Sequence, residues 1–595
     1  MSVFVRLVDC DSPTAKRQAF GDRNRWYQLD QHDFTLLPGY PFAYWASRAQ
    51  LDCFRLPSLN QVGTTREGLK TGDNARFVFF WHELSRADVC TRPECQKRRY
   101  VPHVKGGAFR RWYGNCELVI LWDGDGQEIK RHPSSTVANQ NYQFCKGFTW
   151  TYVTSGPLSV RYVPDGWTFN NKGPMAFADR PMLPGAVLNS KVANALIQIV
   201  APTLDYTVGN VGSLPLPDRA NAEHTTPAKT CLSLSKADWD SRERSWEYRR
   251  CPLLDDYEAK HGSNPIDENL TEISLPSSLG KVESLAEGYS CYTTLWTKQF
   301  KELHRLEEEN NRIFIDLYGL QDELSPEVPY SEVTILQDEL DKDARERGEI
   351  VFNKQEVLRQ FVSYGVGCIF GRYSLDEDGL ILANAGDTLD TYLERIPEPR
   401  LRPDESGILP ITEDDDFPDD LPSQFRAFLR AAFGTEHYDE NVQFLEEGLG
   451  RDLRSYFLKH FYKDHVKRYK KRPIYWLITS PKGSLRALIY LHRYNRDTVN
   501  RFLNDYLRPY QRKLEARRRT AEQSLNSGGL SGSERTKARK DIDRISAALE
   551  ELSVWERDVV RPLAEQRVEL DLDDGVKVNY GKLGAILETV KGLNS

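Results

Sequence analysis

A chain of 595 residues is long enough for several domains, and a composition that is 39% hydrophobic and 11% aromatic excludes a disordered protein. No run approaches the roughly 18 uncharged apolar residues of a membrane span, MSVFVRLVDCD has no basic leader ahead of an apolar core, and ten irregularly spaced cysteines suit reduced thiols in a cytoplasmic protein. A net charge of −7 excludes a uniformly basic coat, so any charge for binding nucleic acid must be concentrated locally.

Residues 1–60 alternate apolar and polar, and MSVFVRLVD reads as a strand that should join a sheet supplied from elsewhere. GLKTGDN, from Gly68, is a turn whose glycines allow backbone that residues with a Cβ avoid. Phe77 to Trp81 then predicts a buried strand. Between Lys97 and Tyr113 there are six Lys/Arg and no Asp or Glu, interleaved with Tyr100, Phe109, Trp112 and Tyr113. Cations attract phosphates, and aromatic faces stack on bases or brace arginines. The mixture fits either a nucleic-acid contact or a basic surface hairpin. Short β-like runs (CELVILW, FTWTYV, LSVRYVP) follow, and Ser190 is the expected N-cap of a helix ending before Pro202.

From about 225 the period becomes helical. Ser235 is the expected N-cap of SKADWDSRERSWEYRR, with Asp238 in its first turn and Trp239 and Trp246 seven apart on one face. LWTKQFKELHRLEEENNRIFIDLYGL predicts a long amphipathic bracing helix with a glycine end. Residues 331–450 are acidic, and Asp414, Asp415 and Asp416 in ITEDDDFPDDLP read as a solvated loop, because consecutive carboxylates rarely converge on a hard cation. Residues 451–520 reverse the charge, with 20 Lys/Arg against 5 Asp/Glu. Their partner is nucleic acid, an acidic protein surface, or the chain's own acidic segment at 413–420. Beyond Asp505, two charged helices around Ser527-Gly528-Gly529 predict an antiparallel hairpin that serves as a structural arm.

Catalytic signatures are sparse. Cys90 and Cys95 with His82 and His103 have irregular spacing for zinc, and free thiols are the better reading. Gly365-Val366-Gly367 follows a helix-like run, not a strand, which favours a tight helix contact over a cofactor loop. There is no Gly-x-Ser-x-Gly elbow, phosphate loop or HExxH, and Ser263-Asn264-Pro265-Ile266 only approaches an Asn-Pro-Pro-Tyr tetrapeptide.

Several segments together resemble one family, the PglX-type adenine-specific DNA methyltransferases of BREX phage-defence systems. They are GLKTGDNARF with WHE, KGGAFRRWYGN, SKADWDS, NRIFIDLYGLQDEL, VGCIFGRYSLD, GILPIT, FLKHFYKDHVKRYKKRPIYWL, ALIYLHRY and RVELDLDDGVKVNY, spread from about 60 to 580 in the family's order. The family's catalytic domain carries a glycine-rich S-adenosylmethionine loop and an Asn-Pro-Pro-Tyr motif that holds a flipped adenine. Neither motif occurs here. The resemblance therefore implies a target-recognition half, inactive alone, with S-adenosylmethionine bound by a catalytic domain outside this chain.

The expected architecture is an α/β (α+β) recognition domain, then mainly α-helical domains and a C-terminal antiparallel helical hairpin. Its segments are 1–60 as a remnant joining a methyltransferase domain, 61–224 as the recognition domain, 225–330 as a helical connector, 331–504 as an acidic then basic domain, and 505–595 as the hairpin arm and tail. Expected DNA contacts are Lys70, Thr71, Asn74, Arg76, Lys97, Arg98, Arg99, Lys105, Arg110, Arg111 and Tyr113, with phosphate contacts from Lys467, Arg468, Lys470, Lys471 and Arg472. Expected partners are double-stranded DNA, a separately encoded methyltransferase domain and other BREX proteins, with no membrane. The alternative is a non-catalytic subunit docking on acidic proteins of the defence assembly.

Overall fold

Every strand among the described residues is five residues or shorter, so the β structure gathers into four small sheets, not one large one. The structure is a computed structural model and describes residues 2–91, 99–201, 204–255, 282–526 and 531–594. An antiparallel ribbon pairs Ser2–Val5 with Trp26–Leu29. A four-stranded antiparallel sheet runs in the order Gly63–Arg66, Met175–Ala178, Gly147–Trp150, Val160–Val163. A second orders Val78–Phe80, Leu118–Leu121, Tyr100–Val104 and Thr168–Phe169, with only the last pair parallel. The three-stranded sheet orders Ile408–Ile411, Arg486–Tyr490, Tyr475–Thr479. The remaining regular structure beyond residue 225 is helical.

One cluster of buried side chains runs from Leu37 to Val590, so the expected segments share a core. Its brace is the 34-residue helix Leu285–Tyr318, about 50 Å long at 1.5 Å per residue. Ser284 caps it by accepting from the Glu287 amide, and Gly319 ends it at φ +69°, a conformation glycine adopts without a Cβ penalty. The face carrying Tyr292, Trp296, Phe300, Leu303 and Phe314 is buried. It packs on the helices Lys191–Val200 and Thr226–Asp240.

Local expectations met the structure unevenly. Ser190 caps Lys191–Val200, as its spacing suggested. Ser235 is no N-cap: the helix spans Thr226–Asp240, with Pro227 in its first turn, where a missing N–H costs nothing. Asp238 therefore sits in the last turn, and Trp246 lies beyond the helix against Trp167. The strand expected at Phe77 to Trp81 shrinks to Val78–Phe80, because Asp73 caps a turn of helix through Phe77 and Trp81 opens a 3-10 turn. Gly365 and Gly367 lie inside the helix Lys354–Ile369. A Cβ would stand 2.6 Å from the Phe425 ring at the first and 2.5 Å from the Tyr373 ring at the second, so this is a tight helix contact.

The acidic loop is solvated at Asp414 and Asp415 but not at Asp416, and arginines clamp it. Asp416 and Asp420 are buried, and Arg454 reaches Asp415 and Asp420. Arg517 of the first hairpin helix, Arg508–Asn526, binds Asp414 at 3.0 Å and Asp416 at 2.7 Å. Arg544 of the second, Gly532–Trp555, binds Glu413 at 2.7 Å. Part of the basic surplus in 451–520 is thus spent on the chain's own acidic segment. The hairpin helices pack on one another, with Arg508 at 2.9 Å from Glu556 closing their base. The nine described cysteines form no disulfide, and no helix of the described residues is long and apolar enough to cross a membrane.

Candidate nucleic-acid interface

The glycine turn is fixed from both sides. Leu69 donates to the Phe169 carbonyl, and Lys70 and Thr136 exchange backbone hydrogen bonds of 2.8 Å. Gly72 adopts φ +69° beside Ser134, and Asp73 then accepts from the amides of Ala75 and Arg76. This holds Lys70 and Asn74 out in solvent, with Arg76 exposed and 2.8 Å from Glu128. Thr71 is buried, and its hydroxyl bonds Asn74 at 2.6 Å, so it is withdrawn as a DNA contact.

The basic segment that follows is largely interior. Arg110 is buried against Asp238, donates to the Tyr113 carbonyl at 2.8 Å and lies over the Trp239 ring. Arg111, 5% exposed, bridges Glu307 at 3.1 Å and Glu332 at 2.8 Å, while Trp112 Nε1 donates to Glu307 at 2.7 Å. Burial raises the Glu307 carboxyl pKa and Arg111 opposes it; with two donors on the carboxylate we take the pair as ionic. A guanidinium suits this place because its fork meets two carboxylates at once. Arg110, Arg111 and Tyr113 are therefore corrected: they tie this loop to the brace helix and to Thr226–Asp240, out of reach of a phosphate. Tyr100 and Trp112 are likewise core, not stacking platforms. Arg99 stays exposed and pairs with Asp573, which also accepts from Tyr100. Lys105 is half-buried, which lowers its ammonium pKa. Lys97 and Arg98 lie outside the described residues.

The second basic segment ends the helix Phe461–Arg468. Lys470 and Lys471 both adopt left-handed backbone, at φ +50° and +60°, which costs roughly 1–2 kcal/mol per residue. Hydrogen bonds from Lys470 to Lys467, from Lys471 to Val466 and from Arg472 to Tyr469 hold it there. The loop is docked on the sheet that follows the glycine turn. Lys470 pairs with Glu117 and lies over the Phe80 ring, Arg472 stands 3.7 Å from Glu83, and His82 donates to the Arg472 carbonyl at 3.2 Å. Glu83 also accepts from the Val576 amide, which brings the C-terminal segment to the same place. Arg468 is turned inward, 3.4 Å from Glu356, and Arg472 is partly covered, so both are corrected to scaffold. Lys467, Lys470 and Lys471 remain exposed.

The second basic segment thus docks on Phe80, His82, Glu83 and Glu117, more than 350 positions earlier in the chain. Of the partners that decide which cations are free, Asp238 was read from sequence only as a first-turn residue, and Glu83, Glu117, Glu307, Glu332 and Asp573 were not singled out. Of the zinc quartet's described members, His82 bonds a carbonyl and His103 Nδ1 bonds Thr168 at 2.9 Å, and the described residues hold no group of three potential ligands. Cys95 lies outside the described residues.

No family model matches the chain. It is 33% identical to the adenine-specific methyltransferase PglX of Lacticaseibacillus casei (strain Zhang), over 98% of its own length and 48% of that protein's. It is 31% identical to the adenine-specific methyltransferase BrxX of Escherichia coli O9:H4 (strain HS), over 99% and 48%. The chain is homologous to these methyltransferases. It spans about half the length of the curated relatives it matches. Such relatives imply S-adenosylmethionine, but the glycine clusters here do not fit it: Gly365 and Gly367 face aromatic rings, and the turn at Gly72 is packed on His132 and Ser134.

Proposed function

We propose that this chain is the duplex-DNA recognition part of an adenine-specific methyltransferase of a BREX phage-defence system, and that methyl transfer requires the half of the relatives that has no counterpart here. The observation that carries this reading is homology over nearly the whole chain to two adenine-specific methyltransferases. The geometry supports it with a division of labour. Lys467, in the last turn of the helix Phe461–Arg468, and Lys470 and Lys471, on the hydrogen-bonded loop that follows, are exposed point charges for phosphates. Asn74 and Arg76, at the end of the fixed glycine turn, are the side-chain types that read adenine and guanine edges.

Binding of the purified chain to duplex DNA, followed against salt, tests the reading. The expected result is an affinity that falls steeply and linearly on a double-logarithmic plot, with a slope of about −0.9 for each phosphate neutralised. No binding at low salt, or an affinity indifferent to salt, rejects it.

A further inference from the structure

The N-terminal ribbon is ordered yet has almost nothing to hold it. No residue from 2 to 33 is buried, the helix Pro13–Gly21 included. A two-stranded ribbon and a nine-residue helix are each marginal in water on their own, and fixing backbone costs roughly 1–2 kcal/mol per residue. Only one face is covered. Phe4 stacks on Tyr44 at 5.1 Å and meets Phe34 edge-on, and Tyr27, its partner across the ribbon, packs on Tyr44.

The opposite face is bare. Side chains alternate along a strand, which puts Val3 and Trp26 outward, with Phe20 against Trp26 at 5.8 Å. Phe20 and Trp26 here, with Tyr40 and Phe42 on the loop beyond the ribbon, where Phe42 meets Phe34 of the covered side, are the exposed Phe, Trp and Tyr side chains among the described residues, and all fall within 23 positions. Both strands also keep one edge unpaired among the described residues, offering backbone N–H and C=O groups to a further strand.

We infer that this ribbon docks a folded polypeptide, the counterpart of the half of the relatives that the chain does not cover. The occupant follows from size and chemistry. About half of each relative has no equivalent here, a partner about as long as this chain. An aromatic face with open strand edges suits a protein surface far better than a phosphate backbone. The inference rests on the proposed division between recognition and catalysis and adds where the two meet.

The test uses the full chain and the uncovered half of the Lacticaseibacillus casei relative, co-produced and then titrated by calorimetry. The expected result is a complex that Trp26→Glu or Phe20→Glu weakens at least tenfold, with hydrogen exchange slowed at 2–29. The control Val578→Glu, at an exposed apolar site elsewhere, binds as the parent does. Absence of a complex, equal binding by all variants, protection only outside 2–42, or self-association of the chain through this face overturns the inference. DNA binding of the same proteins is measured in parallel. Loss of docking with salt-dependent DNA binding intact removes the inference alone, whereas absence of DNA binding by the parent chain removes the proposed function.

Discussion

The two basic segments resemble each other in sequence and differ in the fold. In both, arginines turn inward to carboxylates; the second leaves its exposed positive charge on lysine, whereas the exposed cation described in the first is Arg99. Arg110 and Arg111 are buried in ion pairs, and Arg468 and Arg472 lean on Glu356 and Glu83. Lys467 and Lys471 carry no carboxylate partner among the described residues, and Lys470 touches Glu117 while remaining exposed. The difference follows from hydration and shape. A planar, weakly hydrated guanidinium loses less on burial and satisfies several acceptors, whereas a compact ammonium is strongly hydrated and stays in water. In the second segment arginine is scaffold, and lysine carries the exposed charge.

Breaking the scaffold should have the largest effect. Arg111→Ala leaves Glu307 buried without its cation and is expected to cost about 3–5 kcal/mol in urea unfolding; a loss below 1 kcal/mol would dissolve the contrast. Arg111→Lys keeps the charge but cannot bridge Glu307 and Glu332 together, so a smaller loss of about 1–3 kcal/mol is expected, for one unmade charged hydrogen bond. The reciprocal exchange, Lys471→Arg, should be neutral.

Interior groups should also register as pH dependence. Burial, with a smaller push from Lys105, takes His103 down to about 3 from its usual 6.5. The unfolded chain gains this proton from 6.5 downward while the folded chain does not until about 3, so the contribution is complete above 6.5 and is lost as pH falls. His103→Asn keeps a polar atom near Thr168 and removes the titration. Between pH 6 and 3.5 the parent should lose about 1.4 kcal/mol per pH unit more than this variant. Parallel pH profiles would show that His103 is not held neutral. The smallest effect belongs to the surface: Lys467→Ala and Lys471→Ala should leave the unfolding midpoint unchanged within about 0.5 kcal/mol.

Much of the scaffold was legible because it rests on local rules. Ser190 as a cap, Gly319 as a helix end, Gly365 and Gly367 as a close contact and the Gly/Ser-linked hairpin all follow from what one side chain, or its absence, permits. The ends of Thr226–Asp240 were misplaced because two tryptophans seven apart imitate a helical face even when the chain has already turned. The site was legible only as charge. A run such as Lys97 to Tyr113 does not reveal that its arginines find Asp238 and Glu307, since those partners lie more than 120 positions away and are set by tertiary packing. The acidic loop shows the same limit, with Asp414 and Asp415 at the surface while Asp416 is buried by the arm that crosses it.

The central claim is that Lys467, Lys470 and Lys471 form the phosphate-facing charge. It is tested most directly by the salt dependence of duplex-DNA binding in the parent chain and in the variant with all three replaced by glutamate. The account predicts at least a tenfold weaker affinity in the variant and a slope shallower by about three units, from roughly 0.9 per contact. Equal affinity and equal slope in the two proteins would contradict it.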